Sequence, residues 1–418
     1  MSDFIGIEIP YAGTFSQSGF QLEVENDYIF LDESRVVYYA QQTNQGIGYI
    51  GIANFTSFTG VMDPASTIEK QQILHVGEIT GVKLFKIAEN RILVLVDRKV
   101  YILDFVGFEY TVVAEKDDVF IGGARVRGNT ISSSTTTLNW VGNSIKENEL
   151  LFIDCEVVNP LASNGAVFKL YRLVYNPSTN TISNRILKKD LSLDFNMNAS
   201  SEAVRYNGRI EAIPGTSSYY IWFARAGTST SNMPYMTYSA IIDDEGNELS
   251  QIPFPVYIPT FNSTVTDSGT WTTHAVALRE DLIVYFSGAG RYVIYFNGTL
   301  TTAIQNTSLF GYTSNSSIYD VKALDENHFI MSWNGFSSTM FTGVFRVDST
   351  NLITGLGQYN TDNLLQTQFA AGITRDNALE YYGGNTWLLR YPKINVTLFN
   401  PELGNQSYVR FAYFRLDL

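Results

Sequence analysis

The chain has 418 residues, 45% of them apolar and only 17% charged, so it can bury a large core and is not a disordered polypeptide. Aromatics reach 14% through 27 Phe and 26 Tyr, a profile that suits strands better than helices. A net charge of −13 repels a phosphate backbone and argues against a nucleic-acid partner. The single Cys155 cannot form an internal disulfide. The N-terminal segment lacks the basic and apolar regions of a signal peptide, and no apolar run of ~18 residues marks a membrane span. The expectation is a chain with no signal peptide and no membrane insertion. Asn-x-Ser/Thr triplets at Asn54, Asn262, Asn297 and Asn395 read as turn composition.

One phrase recurs along the chain: an aliphatic residue, a short acidic or polar turn, then an apolar strand. In order it reads Leu31-Asp-Glu-Ser-Arg-Val-Val-Tyr-Tyr, Ile87-Ala-Glu-Asn-Arg-Ile-Leu-Val-Leu and Ile145-Lys-Glu-Asn-Glu-Leu-Leu-Phe-Ile. A looser copy begins at Ile213-Pro-Gly-Thr-Ser-Ser. The phrase then returns as Leu278-Arg-Glu-Asp-Leu-Ile-Val-Tyr-Phe and Leu324-Asp-Glu-Asn-His-Phe-Ile-Met, with a second loose copy at Ile373-Thr-Arg-Asp-Asn. Each copy is followed by another apolar strand, such as Val100-Tyr-Ile-Leu-Asp-Phe or Tyr292-Val-Ile-Tyr-Phe. A turn such as Asn176-Pro-Ser-Thr-Asn, Asp243-Asp-Glu-Gly-Asn, Asn297-Gly or Asp348-Ser-Thr-Asn comes next. Asn, Asp and Gly reach positive φ or bond their own backbone cheaply, as a hairpin reversal requires. A short outer strand then begins at Thr181-Ile, Glu248-Leu, Thr299-Leu and Leu352-Ile-Thr.

Four antiparallel strands per repeat, seven times over, predict an all-β fold: a single seven-bladed β-propeller of four-stranded antiparallel blades spanning 1–418. The blades are expected near 11–65, 66–117, 118–189, 190–251, 252–307, 308–359 and 360–418, with strand 4–10 helping to close the ring. The turns at Glu89-Asn90, Glu280-Asp281, Asn297-Gly298 and Glu326-Asn327 are short and belong to one side. The connections at 125–140, 159–165, 227–234 and 252–271 are long and belong to the other. Binding is expected on the long connections; packing against neighbouring subunits is the alternative use for them.

The chemistry is sparse. His75, His274 and His328 have no metal-ligand spacing, and His328 takes the turn position that Arg35 and Arg91 fill in other repeats. Cys155 lies inside an apolar strand and reads as a buried, inert thiol. Gly46-Ile-Gly-Tyr-Ile-Gly51 matches a dinucleotide fingerprint in letters but leads into a strand, so no helix N-terminus can receive a pyrophosphate. The Asp243 turn lacks the alternating ligands of a calcium loop. Asp267-Ser-Gly-Thr-Trp271 resembles the Asp-box of sialidase propellers but is one residue short and precedes a first strand. No catalytic residue, metal or cofactor is expected. The 41 acidic residues still leave a carboxylate pair for glycoside hydrolysis open.

The seven phrases span roughly the whole chain, and their style resembles propeller-containing virion proteins of tailed bacteriophages, tail and host-attachment components among them. The resemblance implies a non-catalytic structural or binding part of a virion, assembled in the host cytoplasm. It implies several copies in a symmetric assembly with other virion structural proteins. It transfers no site residues. A host-surface glycan is the natural small ligand, because aromatic rings lie against sugar C–H faces while Asn and Asp bond hydroxyls. Trp140, Tyr257, Trp271 and Tyr312 are the candidate contacts, read as loop aromatics. A carbohydrate-active propeller enzyme is the alternative on the same scaffold.

Overall fold

The structure is a computed structural model. It describes residues 5–11, 28–32, 35–42, 47–54, 69–75, 82–96, 99–117, 119, 141–157, 166–191, 206–226, 234–255, 257–259, 269–287, 291–302, 304–305, 318–334, 340–360, 379–383, 386–391, 398–400 and 404–415. Among them every regular element is a strand, and the strands form seven antiparallel sheets. The first comprises Tyr28–Phe30, Arg35–Gln42, Ile47–Asn54 and Glu69–His75. The second comprises Val82–Ala88, Arg91–Val96, Lys99–Val106 and Glu109–Lys116. Val141–Lys146, Glu149–Val157, Ala166–Asn176 and Thr181–Ile182 form the third, with Ile186–Asp190 paired beside them. Tyr206–Ala212, Tyr219–Ala226, Pro234–Ile242 and Glu248–Gln251 form the fourth. The fifth runs Gly269–Arg279, Leu282–Ser287, Arg291–Phe296 and Thr299–Leu300, and the sixth Ile318–Ala323, His328–Asn334, Met340–Val347 and Ile353–Asn360. The seventh joins Leu379–Gly383, Thr386–Tyr391 and Gly404–Arg415 to the N-terminal strand Ile5–Tyr11, which lies antiparallel to Gly404–Arg415. This repeated four-stranded meander is a β-propeller fold.

The strands fall into two compact units: Met1–Val157 with Tyr171–Leu187 and Glu380–Leu418, and Val158–Leu170 with Lys188–Leu379. In the first unit the second sheet shows how a blade is made. Its strand Arg91–Val96 is buried at every position after Arg91, whereas Glu109–Lys116 buries only Tyr110 and Ala114, as suits a sheet edge. Period-two geometry divides the inner strand between two cores. Ile92, Val94 and Val96 pack with Leu31, Val37, Ile50 and Ile52 of the first sheet. Leu93 and Leu95 face Leu150, Phe152, Tyr171 and Leu173 of the third.

The second unit repeats the scheme around the fifth sheet. Ile283 and Tyr285 join Tyr220, Trp222 and Met236 of the fourth sheet, while Leu282, Val284 and Phe286 join Phe329, Met331 and Trp333 of the sixth. Leu282–Ser287 is buried throughout and the edge Thr299–Leu300 is exposed. A continuous apolar run is therefore the mark of a strand covered on both faces.

Two sequence expectations shift. The blade boundary placed after residue 65 falls inside the first sheet, because Glu69–His75 pairs with Ile47–Asn54. The polar stretch 55–68 imitates an inter-blade linker in composition but joins the third and fourth strands of one sheet. The second shift concerns 252–271, read as one long loop. Tyr257–Pro259 adds a strand to Gly269–Arg279, so Tyr257 and Trp271 lie on strands rather than loops. The aromatic and β-branched residues of Tyr257-Ile and Thr270-Trp-Thr-Thr favour a pleated surface despite the prolines around them.

Candidate functional site

The recurring phrase is a turn with a defined job. Its aspartate or asparagine closes the hairpin locally, as short polar side chains do at reversals. Asp32 accepts from the Arg35 amide at 2.8 Å, and Asp325 accepts from the amides of Asn327 and His328 at 2.8 and 2.9 Å. The Leu31 amide donates to the Arg35 carbonyl at 2.9 Å and the Leu324 amide to the His328 carbonyl at 2.8 Å, so His328 does occupy the Arg35 position. Its ring pairs with Asp325 at 2.8 Å, as Arg35 pairs with Asp32 at 2.5 Å. The turn asparagine works in two directions. Within its own sheet its carbonyl accepts from the third strand: Phe105 N–H to Asn90 O, Tyr175 N–H to Asn148 O and Val347 N–H to Asn327 O, each at 2.9 Å. Its amide oxygen accepts from an arginine of the preceding repeat: Arg35 to Asn90 at 2.7 Å, Arg91 to Asn148 at 2.6 Å and Arg279 to Asn327 at 3.1 Å. In these three cases the phrase latches one turn to the next.

A second polar constellation lies on the first strands of the fourth and sixth sheets. Arg209 and Glu211 alternate on one, Asp320 and Lys322 on the other, and spacing of two puts each pair on one face. Arg209 donates to Asp320 at 2.9 Å, and Asp320 also accepts the Val321 and Leu379 amides at 2.8 Å each. Lys322 bonds Glu211, whose carboxylate lies 3.7 Å from Arg209 Nε. Asp320 is fully buried and Arg209 is 6% exposed. Burial alone would push the Asp320 carboxyl up, yet Arg209, Lys322 and the Leu379 amide hold it below the ordinary range. The four charges cancel.

The same unit holds a buried hydroxyl relay. Tyr285 donates to the Pro253 carbonyl at 3.1 Å, which leaves Ser239 to donate to Tyr285 at 3.2 Å and Tyr220 to donate to Ser239 at 2.9 Å. Burial pushes the Tyr285 phenol up to about 12 and Tyr220 further, so both remain neutral donors.

Of the four aromatic candidates, Tyr257 and Trp271 are brought together as register partners on paired strands. Trp140 and Tyr312 lie outside the described residues, as do 125–140, 159–165 and 227–233. Ile47 to Gly51 of the Gly46–Gly51 motif lie on the strand Ile47–Asn54, and the Asp243 carboxylate is occupied by the Glu245 amide and by the backbone and side-chain amides of Asn247, at 2.7 to 2.9 Å. Among the described residues no group of three or more His, Cys, Asp or Glu side chains could hold a metal ion, and no helix is long and apolar enough to cross a membrane. Sequence reasoning missed the Arg209–Asp320 constellation. Its signal was available as ionisable residues at i and i+2 inside otherwise strand-like segments.

No family model and no curated protein matches the chain. Among solved structures it is similar to the core factor of S. cerevisiae at 9% identity and a TM-score of 0.44. That match covers all of this chain, which spans 62% of the core factor chain. It is similar to Ycf48 bound to a D1 peptide at 8% identity and a TM-score of 0.45, over 100% of this chain and 96% of that one. It is also similar to KlHsv2 with loop 6CD replaced by a Gly-Ser linker, at 9% identity and a TM-score of 0.34, over 80% and 97% of the two chains. The fold assignment rests on the strand pairing and core division described above.

Proposed function

We propose that the chain is a non-catalytic scaffold that presents its long connections to partners as a multi-copy structural component of a virion, in a phage tail or host-attachment apparatus. The observation that supports the scaffold reading is the employment of its ionisable groups. The arginines of the turns are latched to asparagines, and Arg209, Glu211, Asp320 and Lys322 neutralise one another. The carboxylates of Asp243, Glu248, Asp320, Asp325 and Asp348 are all shifted down, whereas a general acid needs a carboxyl shifted up. The virion setting is supported by the resemblance of the repeat phrases. Purified native particles should contain the chain at a fixed stoichiometry above one, and deleting 227–233 should impair incorporation or attachment. A monomer absent from every particle overturns the reading.

A host-surface glycan is the proposed small ligand, on this scaffold or on a carbohydrate-active enzyme of the same fold, with Tyr257 and Trp271, register partners on paired strands, as the contacts to test. Glycan-array binding lost in both Tyr257→Ala and Trp271→Ala supports contact. Polysaccharide turnover abolished by one Asp or Glu substitution replaces the scaffold with the enzyme.

A further inference from the structure

We propose that Asn297 is a site of spontaneous deamidation, in which the Gly298 backbone nitrogen attacks Asn297 Cγ, the Cγ–Nδ2 bond breaks and ammonia leaves. Water then opens the resulting succinimide to aspartate or isoaspartate, so that one amide is exchanged for one carboxylate without any oxidant or cofactor.

The inference stands on the fifth-sheet hairpin and is independent of the proposed function. Asn297 and Gly298 form its two-residue loop with φ of +46° and +85°. Asn148, Asn180 and Asn351 are the other described asparagines at positive φ, and they precede Glu149, Thr181 and Leu352, whose side chains crowd the next amide nitrogen. Asn297 alone among these precedes a glycine. A Cβ placed at Gly298 would meet nothing within 4 Å, so the nucleophile and the incoming water have open approach.

Attack requires the turn to open, which breaks the Asn297 amide bond to the Asp281 carbonyl at 3.1 Å and a short exposed edge. The outer strand Thr299–Leu300 is two residues long, both exposed, and is held by two register pairs, Phe296 with Thr299 and Tyr295 with Leu300. It is also held by the Thr299 hydroxyl on the Phe296 carbonyl at 2.9 Å, and by Thr301, whose amide donates to the Ile294 carbonyl at 2.8 Å and whose hydroxyl accepts from the Ile294 amide at 3.1 Å. Such an edge sits at the low-stability end of a fold. The Asn207–Gly208 dipeptide supplies a comparator in the same chain. It lies inside the strand Tyr206–Ala212, paired with Ala224 and Phe223, and Gly208 is buried. The aspartyl product keeps a residue that tolerates the turn. The isoaspartyl product lengthens the backbone inside a two-residue loop and displaces the Phe296–Thr299 pairing.

The test incubates the purified full chain at mildly alkaline pH, folded and in denaturant, and localises the amide-to-acid mass gain by fragment spectra that separate Asn297 from Asn306 and Asn315. In the folded chain Asn297 should convert at least tenfold faster than Asn207. In denaturant, where both are plain Asn-Gly dipeptides, the two should convert at similar rates. Conversion in H₂¹⁸O should place the label at Asn297, and Asn297→Asp should show no gain there. Folded Asn297 converting no faster than Asn207, or remaining intact while the unfolded chain converts, overturns the proposal.

Discussion

Removing the Asp320 carboxylate tests whether the inner-strand charges hold the fold. Asp320→Ala takes away the acceptor of Arg209, at 2.9 Å, and of the Val321 and Leu379 amides at 2.8 Å. Arg209 is 6% exposed, so its guanidinium is left buried without its nearest counter-charge. Breaking a buried pair from one side costs about 3–5 kcal/mol. Glu211, 3.7 Å from Arg209 Nε, offsets part of that loss and places the expectation at the lower end. Asp320→Asn keeps an acceptor oxygen and should lose less. Replacing both partners, as Asp320→Leu with Arg209→Met, removes the stranded charge but still leaves the Val321 and Leu379 amides without their acceptor, so it should recover part of the loss. Because a chain of this length need not unfold in one step, the readout is the urea transition reported by Trp222 and Trp333, which are buried in the same unit. Asp320→Ala within about 1 kcal/mol of the parent, well under the cost of a broken buried pair, refutes the reasoning. A double variant as unstable as the single refutes it too.

A Cβ at Gly343 would lie 3.0 Å from Trp333 Cη2 and 3.1 Å from both the Gly357 carbonyl and Phe345 Cζ; Gly343→Ala should cost about 1–3 kcal/mol by overpacking, and an unchanged urea midpoint would contradict that. Asn148 combines a φ of +64° with its bond to Arg91; Asn148→Ala loses both and should be less stable than Asn148→Gly by about 1 kcal/mol, the cost of a Cβ in the left-handed region, measured by urea denaturation. Asp243, Asp320, Asp325 and Asp348 all have native pKa values below the ordinary 3.8. Their contribution to stability is full above that value and is lost as pH falls through the lower native values, so the denaturation midpoint should hold at mildly acidic pH and drop below about 4. A midpoint that rises on acidification would reverse the sign and refute the assignment.

The turns were legible because their chemistry is local. Asp and Asn at reversals bond backbone two to four residues away, and that survives as a repeated phrase; the matching of His328 to Arg35 followed from it. Strand existence was legible from continuous apolar runs such as Arg91–Val96. The partner of each polar side chain was not, because it depends on which strands become neighbours: nothing in Arg209 names Asp320, which lies two sheets further along the chain. The assignment of Tyr257 and Trp271 to a loop failed for a related reason. Proline and polar residues in 252–268 outweighed a three-residue strand whose stability comes from pairing with Gly269–Arg279 rather than from its own propensity.

The seventh sheet has a consequence for biosynthesis. Ile5 pairs with Tyr413 and Tyr11 with Ser407, so this strand hydrogen-bonds to one synthesised about 400 residues later. At elongation rates of about 5–20 residues per second, Ile5–Tyr11 waits roughly 20–80 s for its partner. Throughout that interval the nascent chain exposes an uncharged-to-apolar segment, Ile-Gly-Ile-Glu-Ile-Pro-Tyr, interrupted by one glutamate. Neighbouring polysomes would hold many such segments close together. A circular permutant that moves this strand to follow Arg415 would convert a contact across the whole chain into a hairpin and abolish the delay, so its yield of folded protein measures how much the wait costs the cell.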